Sequence, residues 1–536
     1  MNTHYDVAII GGGLAGLTLA LQLKQKSPEI EIIILERNQL PVPMAAHKVG
    51  ESTVEIGAHY LSHTLGLEQL LETTQLRKFG FRLFFGSGNH DDLAKADELG
   101  ASNFLPVTSY QLDRGRLEND LADMLKDLGV SLMDGCMVEQ ASIGSNGKVH
   151  TLRFKQEGQA RSIRCNWVVD AASRFALLKR QLDLAQSSKH NVNAAWFRLD
   201  APIAVDDWSN SQAWSDRCNG LRRRFSTNHL MGSGYWAWII PLVGDRTSIG
   251  LVADPEIHSF SSFNDFDKMS EWLAVHEPQL AESVSKSSST LMDFKRLKKL
   301  SHDCKQVWSN DGWAITGESG MFADPFYSPG TDFIAISNTF ICDLITRKKS
   351  EWGQHIYAGV YQKMYRSFFD STMSLYENQY PGFGDTRLMV LKLTWDYAFY
   401  WSVLAWLYFR NVMTDISFIR MVEPQLSAIR SLNESMQLAF RQRAAERRSD
   451  MGQGRFFDQA EIPVLANLNA ALITPTDNLQ QEFNENCTRL EGLAPLLLDI
   501  LNNTDAPGNQ TCSLLGDLRN RFNPHITPVG IGSHRM

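Results

Sequence analysis

The 536-residue sequence has no CxxC pair, no group of histidines at metal-ligand spacing, no internal repeat and no low-complexity tract. Its seven cysteines (136, 165, 218, 304, 342, 487 and 512) are scattered. That pattern excludes a zinc knuckle or a disulfide framework and points to reduced thiols in a cytoplasmic protein. No excess of positive charge is present either: 52 Lys and Arg stand against 60 Asp and Glu, for a formal charge of −8. Nucleic acid is therefore not expected as the main partner. The longest apolar stretch, "LTWDYAFYWSVLAWLYF" at 393–409, is interrupted by Asp396 and flanked by Lys392 and Arg410. It falls short of the roughly 20 clean apolar residues that a membrane span needs, so a buried or cavity-lining helix is expected there. The opening "MNTHYDVAIIGGG" runs straight into a strand pattern with no signal peptide in front of it.

What is present begins with that strand. "YDVAIIGGGLAGLTLALQLKQ" is an apolar run, a glycine turn and a leucine pattern of helical period, with Gly11, Gly13 and Gly16 at GxGxxG spacing. Glycines at this turn let backbone N–H groups, including that of Ala15, approach a pyrophosphate at a helix N-terminus. The next strand, "EIEIIILER", ends in Glu36, twenty residues after Gly16 and suited to an adenosine ribose. Three later stretches favour FAD over NAD. They are the helix led by Arg114 in "QLDRGRLENDLADMLKDLG", the strand end at Asp170 in "WVVDAAS", and the Gly-Glu turn at Glu318 in "WAITGESG". Taken in order, they resemble flavoproteins of the p-hydroxybenzoate hydroxylase type, in which an Asp usually occupies the Glu318 position.

That resemblance implies an α/β chain with a Rossmann-like FAD-binding domain over 1–195 and 305–345. A substrate-side β-sheet is inserted at 196–304, a helical C-terminal region covers 346–502, and an irregular tail covers 503–536. Hairpins are expected at "MVEQASIGSNGKVHTLRFK", turning at Asn146-Gly147, and at "YWAWIIPLVGDRTSIGLVAD", turning at Gly244-Asp245.

Two motifs narrow the chemistry. Trp236, Trp238, Ile240 and Pro241 meet WxWxIP, and Phe322, Pro325, Ser328 and Gly330 meet FxxPxxSxG. Both signatures, in this order on a flavoprotein frame, resemble the flavin-dependent halogenases. Residues i, i+2 and i+4 of a strand share a face, so Trp236, Trp238 and Ile240 are expected to form one wall. The family picture is that halide attacks a flavin hydroperoxide and the hypohalous acid then reaches a separately bound substrate. The indole wall would keep the substrate off the flavin. The resemblance implies catalytic roles for Lys78, Trp236, Trp238 and Ser328. It places the cofactor strap at Val49, Gly50, Glu51 and Ser52, with Pro325 also against the cofactor. A halide nest falls at Gly330 and Thr331, FADH2, O2 and halide are the reactants, and a separate flavin reductase supplies the FADH2. Lys48 could be mistaken for the catalytic amine, but its place beside the strap suggests cofactor contact or solvent exposure.

Alternation in "LRKFGFRLFFGSG" puts Phe79, Phe81, Leu83 and Phe85 on one face and Lys78, Gly80 and Arg82 on the other. Tyr327 stands where tryptophan halogenases have a glutamate before the motif serine. Loss of that acid suits a ring that reacts without help, a phenol or pyrrole, free or tethered to a carrier protein, and not free tryptophan. Asp332 is expected to cap a helix. An aromatic-ring hydroxylase and a non-catalytic flavoprotein that works through its helical half are the alternative readings.

Overall fold

The computed structural model describes residues 3–45, 49–86, 90–145, 148–347, 353–447 and 452–502. Lys48, the Asn146-Gly147 turn and the 503–536 tail lie outside the described residues. Two eight-stranded sheets organise the chain. In the first, the His4–Ile10 strand lies parallel between Ile32–Leu35 and Gln159–Asp170, with Ile10 in register with both Leu35 and Asp170. Ser131–Met133 extends one side and Trp313–Ile315 the other. The central strands are continuous apolar runs because helices cover both faces. Leu14–Lys26 packs on Arg114–Asp127 and on Gly330–Thr346. The expected α/β class with an FAD-binding frame is the architecture found. The hairpin of Cys136–Ser142 and His150–Gln156 attaches to the Gln159–Asp170 strand.

The second sheet runs Leu291–Leu297, Asn193–Leu199, Arg246–Ala253, Tyr235–Leu242, Thr227–Gly232, Phe81–Phe85, Asp97–Gly100, Phe456–Asp458. The three strands at one end therefore come from outside 196–304, two from before it in the chain and one from after. Period-two alternation sorts its side chains between two cores. Trp236, Trp238, Ile240, Phe81 and Leu83 face the large core that joins the two sheets. Tyr235, Ala237, Ile239 and Phe84 face a smaller one under the Phe266–His276 and Pro278–Lys286 helices.

One expected alternation is corrected. Phe81, Leu83 and Phe85 do share a face, but Gly80 has φ +68° and breaks the strand before it. The break reverses the phase. Lys78 comes to the Phe81 side, standing 3.5 Å over that ring, whereas Phe79 lies on the Arg82 side. Arg82 is paired with Glu98 in a buried cluster that also holds Arg223, away from Lys78.

The C-terminal region packs the helices Gly353–Ser374, Thr386–Tyr400, Ile416–Ala445, Pro463–Ile473 and Leu479–Asn502. The 393–409 stretch is helical, with a wider π turn over Trp401–Ala405. Among the described residues no helix is long and apolar enough to cross a membrane.

Candidate functional site

At the glycine turn, Gly11 has φ +107°, and a Cβ there would fall 2.5 Å from the Ala171 carbonyl oxygen. A Cβ on Gly16 would fall 2.2 Å from the Gly11 oxygen, so this glycine lets the helix sit close against the turn. Gly13 differs. Its φ is −87° and a Cβ would meet nothing within 4 Å, so it opens on space at the N-terminus of Leu14–Lys26, where Ala15 is the second helical residue. Glu36 receives the Gly12 N–H at 2.6 Å, which sets the acid beside the turn.

Across the cleft, Arg114 donates from Nη1 to the carbonyl oxygens of Val49 and Gly50 at 3.0 and 3.2 Å. Its Nη2 meets Glu118 at 2.9 Å. Burial lowers the guanidinium to about 10, and Glu318 and Glu51 oppose the shift. The buried Nε has no partner among the described residues. Glu318, on a turn where Gly317 has φ +59°, accepts from Ser173 Oγ at 2.7 Å. An open helix terminus, an orphaned guanidinium nitrogen and a carboxylate facing one cleft fit the phosphates and polyol of FAD. Asp170 has both carboxyl oxygens engaged by backbone, from Ala172 N at 3.0 Å and Leu178 N at 2.8 Å.

The strap is tied to the wall. Glu51 is buried and accepts from Arg198 Nε at 2.7 Å and Ser248 Oγ at 2.8 Å. Ser248 in turn accepts the Trp238 indole N–H at 3.2 Å. Ser52 Oγ lies 2.9 Å from Thr227 Oγ1. Desolvation pushes the Glu51 carboxyl up, against the pull of Arg198. Trp236 and Trp238 stand with ring centroids 5.6 Å apart. Trp236 donates to Tyr380 Oη at 2.9 Å, and Tyr380 donates to Asp324 at 2.6 Å. His190 reaches the same Asp324 oxygen at 2.7 Å.

The second motif turns sharply at the end of this wall. Pro325 accepts from Ser328 N at 2.8 Å, and Ser328 has φ +54°, a left-handed conformation unusual for serine. The next helix then starts at Gly330, where a Cβ would meet nothing within 4 Å. Thr331 is buried against Gly57, whose absent Cβ would lie 2.8 Å from the threonine Cβ. Asp332 caps a helix, but not its own. Its carboxylate accepts from Gly57 N at 2.8 Å, in the first turn of Glu55–His59, and from Tyr400 Oη at 2.6 Å.

An aromatic pocket is lined by Lys78, Glu55, Tyr327, Asp332, Asp396 and Trp401, among others. Lys78 is 3% exposed, and its Nζ donates to Thr53 O at 2.9 Å. Desolvation brings its pKa down to about 7, although Glu55 and Asp332 pull the other way. Desolvation likewise pushes Asp332 up to about 7 and raises Glu55. Tyr327 donates to Asp396 Oδ2 at 2.6 Å, where Lys392 also binds at 2.9 Å, and Gln437 donates to Oδ1 at 2.7 Å. A carboxylate therefore stands behind the phenol that replaces the expected acid. Reasoning from sequence passed over Glu55 and Asp396 as functional residues. A signal for Asp396 was available: an acid inside an apolar helix, four residues after a lysine. Glu55 had none beyond its place after the strap.

An FAD binding domain family matches residues 4–221. A flavin-dependent halogenase of Dictyostelium discoideum is 26% identical over 437 residues, covering 75% of this chain and 70% of that protein. A 1H-pyrrole-2-carbonyl-[peptidyl-carrier protein] chlorinase of Pseudomonas fluorescens is 26% identical over 377 residues, covering 65% of this chain and 78% of its own. The crystal structure of halogenase PltM in complex with phloroglucinol and FAD superposes with a TM-score of 0.65 at 15% identity, over 91% of this chain and 99% of that one. The resemblance drawn from the two motifs is borne out by these relatives.

Proposed function

On a chain homologous to the flavin-dependent halogenases and carrying an FAD-binding domain, we propose that the activity is halogenation of an electron-rich aromatic ring, a phenol, pyrrole or related compound. One observation carries the reading: a buried lysine with its pKa near 7 stands in an aromatic pocket, over the Phe81 ring that shares the core face of Trp236 and Trp238. Bound and reduced, FAD supplies the oxidation of halide by O2, with the reducing equivalents delivered by a separate flavin reductase.

The residues of the chain do the rest. Gly13, Ala15 and Arg114 receive the phosphates, and Glu36 and Glu318 receive the ribose and ribitol. The strap, held shut through Glu51 and Ser248, keeps the cleft in one shape, and the Gly330–Thr331 terminus favours a halide. The wall excludes the organic ring from the cleft. Lys78 holds hypohalous acid by hydrogen bonding beside the substrate, and burial among aromatic rings keeps water from competing for it. The Tyr327–Asp396 pair offers a hydroxyl to an oxygen or nitrogen substituent of the ring. The Dictyostelium halogenase and the carrier-protein pyrrole chlorinase support this chemistry, and both free and carrier-tethered rings are compatible with it.

The test is mass spectrometry of phenol, pyrrole and indole incubated with the protein, FAD, a flavin reductase and chloride or bromide. Halide-dependent mass gain on phenol or pyrrole in preference to free tryptophan is the expected result. An oxygenated product that ignores halide would instead identify a hydroxylase. Lys78→Ala should lower halogenated product about a hundredfold or more while oxygen uptake continues, because the lysine acts after the wall.

A further inference from the structure

We propose that Glu55 is the catalytic base that removes the ring proton, the role left vacant by Tyr327; this rests on the halogenase reading above. Replacing a ring hydrogen by halogen requires that proton to go somewhere, and the pocket offers three carboxyls. Asp332 has one oxygen on Gly57 N and the other on Tyr400. Asp396 is held by Tyr327, Lys392 and Gln437, which together engage both of its oxygens. Among the described residues Glu55 is bonded only by neutral groups: Asn469 donates to Oε1 at 3.3 Å, and the Trp401 indole also acts on the carboxyl.

Glu55 also faces the right neighbours. It opens the short helix that directly follows the strap, and its charge interacts with Lys78, whose amine is anchored on Thr53 two residues earlier. Burial raises its pKa, which makes the carboxylate a stronger base than it is in water.

The step balances as follows. The ring carbon attacks the halogen of hypohalous acid; the carbon–halogen bond forms and the oxygen–halogen bond breaks. The departing hydroxide takes a proton from the Lys78 ammonium and leaves as water. The ring proton passes to the Glu55 carboxylate, and its electron pair restores aromaticity. The halogen is reduced by two electrons and the ring carbon oxidised by two. Transfer of the proton from Glu55 to the neutral Lys78 amine resets both groups.

The test compares the parent, Glu55→Gln and Glu55→Asp on phenol and ring-deuterated phenol, with pyrrole and ring-deuterated pyrrole run beside them. Glu55→Gln keeps the size of the side chain and a carbonyl oxygen for Asn469. It should bind FAD and consume O2 as the parent does, yet halogenate about a hundredfold more slowly. A primary deuterium isotope effect absent from the parent should appear, because proton removal becomes rate-limiting. Glu55→Asp, which keeps a carboxylate one methylene back, should fall between the two in rate. A merely structural role would slow the reaction without an isotope effect, and that result, or a parental rate in Glu55→Gln, overturns the proposal. Failure of the parent itself to halogenate would sink the functional reading instead, so the two failures are separable.

Discussion

A single missing Cβ does different work at each glycine of the nucleotide turn. Gly11 and Gly16 are required by the protein itself, since a side chain at either would strike backbone. Gly13 has ordinary φ and open space, so the fold does not require it. Gly13→Val should therefore leave the folded protein intact while its branched side chain fills the place meant for pyrophosphate. Loss of yellow colour with an unchanged circular dichroism spectrum is the expected outcome. Retention of parental flavin content would show that FAD does not lie over this turn. Lys78 illustrates the same scale from the other side. Its charge is set by its surroundings, because desolvation outweighs the carboxylates near it.

Between elements, the tryptophan strand is held by bonds that reach across the molecule at both of its indoles. Trp238 is linked through Ser248 to the strap, and Trp236 through Tyr380 to Asp324 and His190. Such links fix the wall in rotation, which apolar packing alone does not. Tyr380→Phe removes the acceptor for the Trp236 N–H and one donor to Asp324, leaving buried polar groups short of partners. The expected cost is about 1–3 kcal/mol in urea denaturation. Product formed per O2 consumed should fall as the wall loosens, while flavin binding stays near parental. Unchanged coupling would mean that Trp236 is held by packing alone.

Over the whole molecule, the site is closed by residues far apart in the chain. Phe456–Asp458 adds the edge strand to the wall sheet beside Asp97–Gly100, and Arg455 clamps Asp97 at 2.5 Å. Asn469 is fully buried, donating to Glu55 and accepting from Val107 N at 3.1 Å, so one C-terminal side chain braces two sides of the pocket. Asn469→Ala should cost about 1–3 kcal/mol by leaving both groups unpaired. Halogenation should fall more than FAD affinity, since both groups that Asn469 bonds line the pocket. Equal loss of both, by flavin titration and product mass, would show that cleft and pocket are not separable in this way.

The FAD frame was legible in the sequence because its signals are local. A glycine turn, a run of apolar residues and an acid at a strand end each act within a few residues of where they stand. The tryptophan pair was legible for the same reason, since strand alternation is a backbone property. One misreading and one incomplete reading share a cause. Gly80 interrupts a pattern that alternates on paper, and its left-handed φ turns Lys78 to the opposite face. Asp332 has the spacing of a cap, yet the helix it caps begins 277 positions earlier in the chain. The three carboxyls of the pocket come from helices beginning at Glu55, Gly330 and Thr386. Their meeting in one pocket was decided only by tertiary packing, because charge and desolvation act through space and take no account of sequence distance.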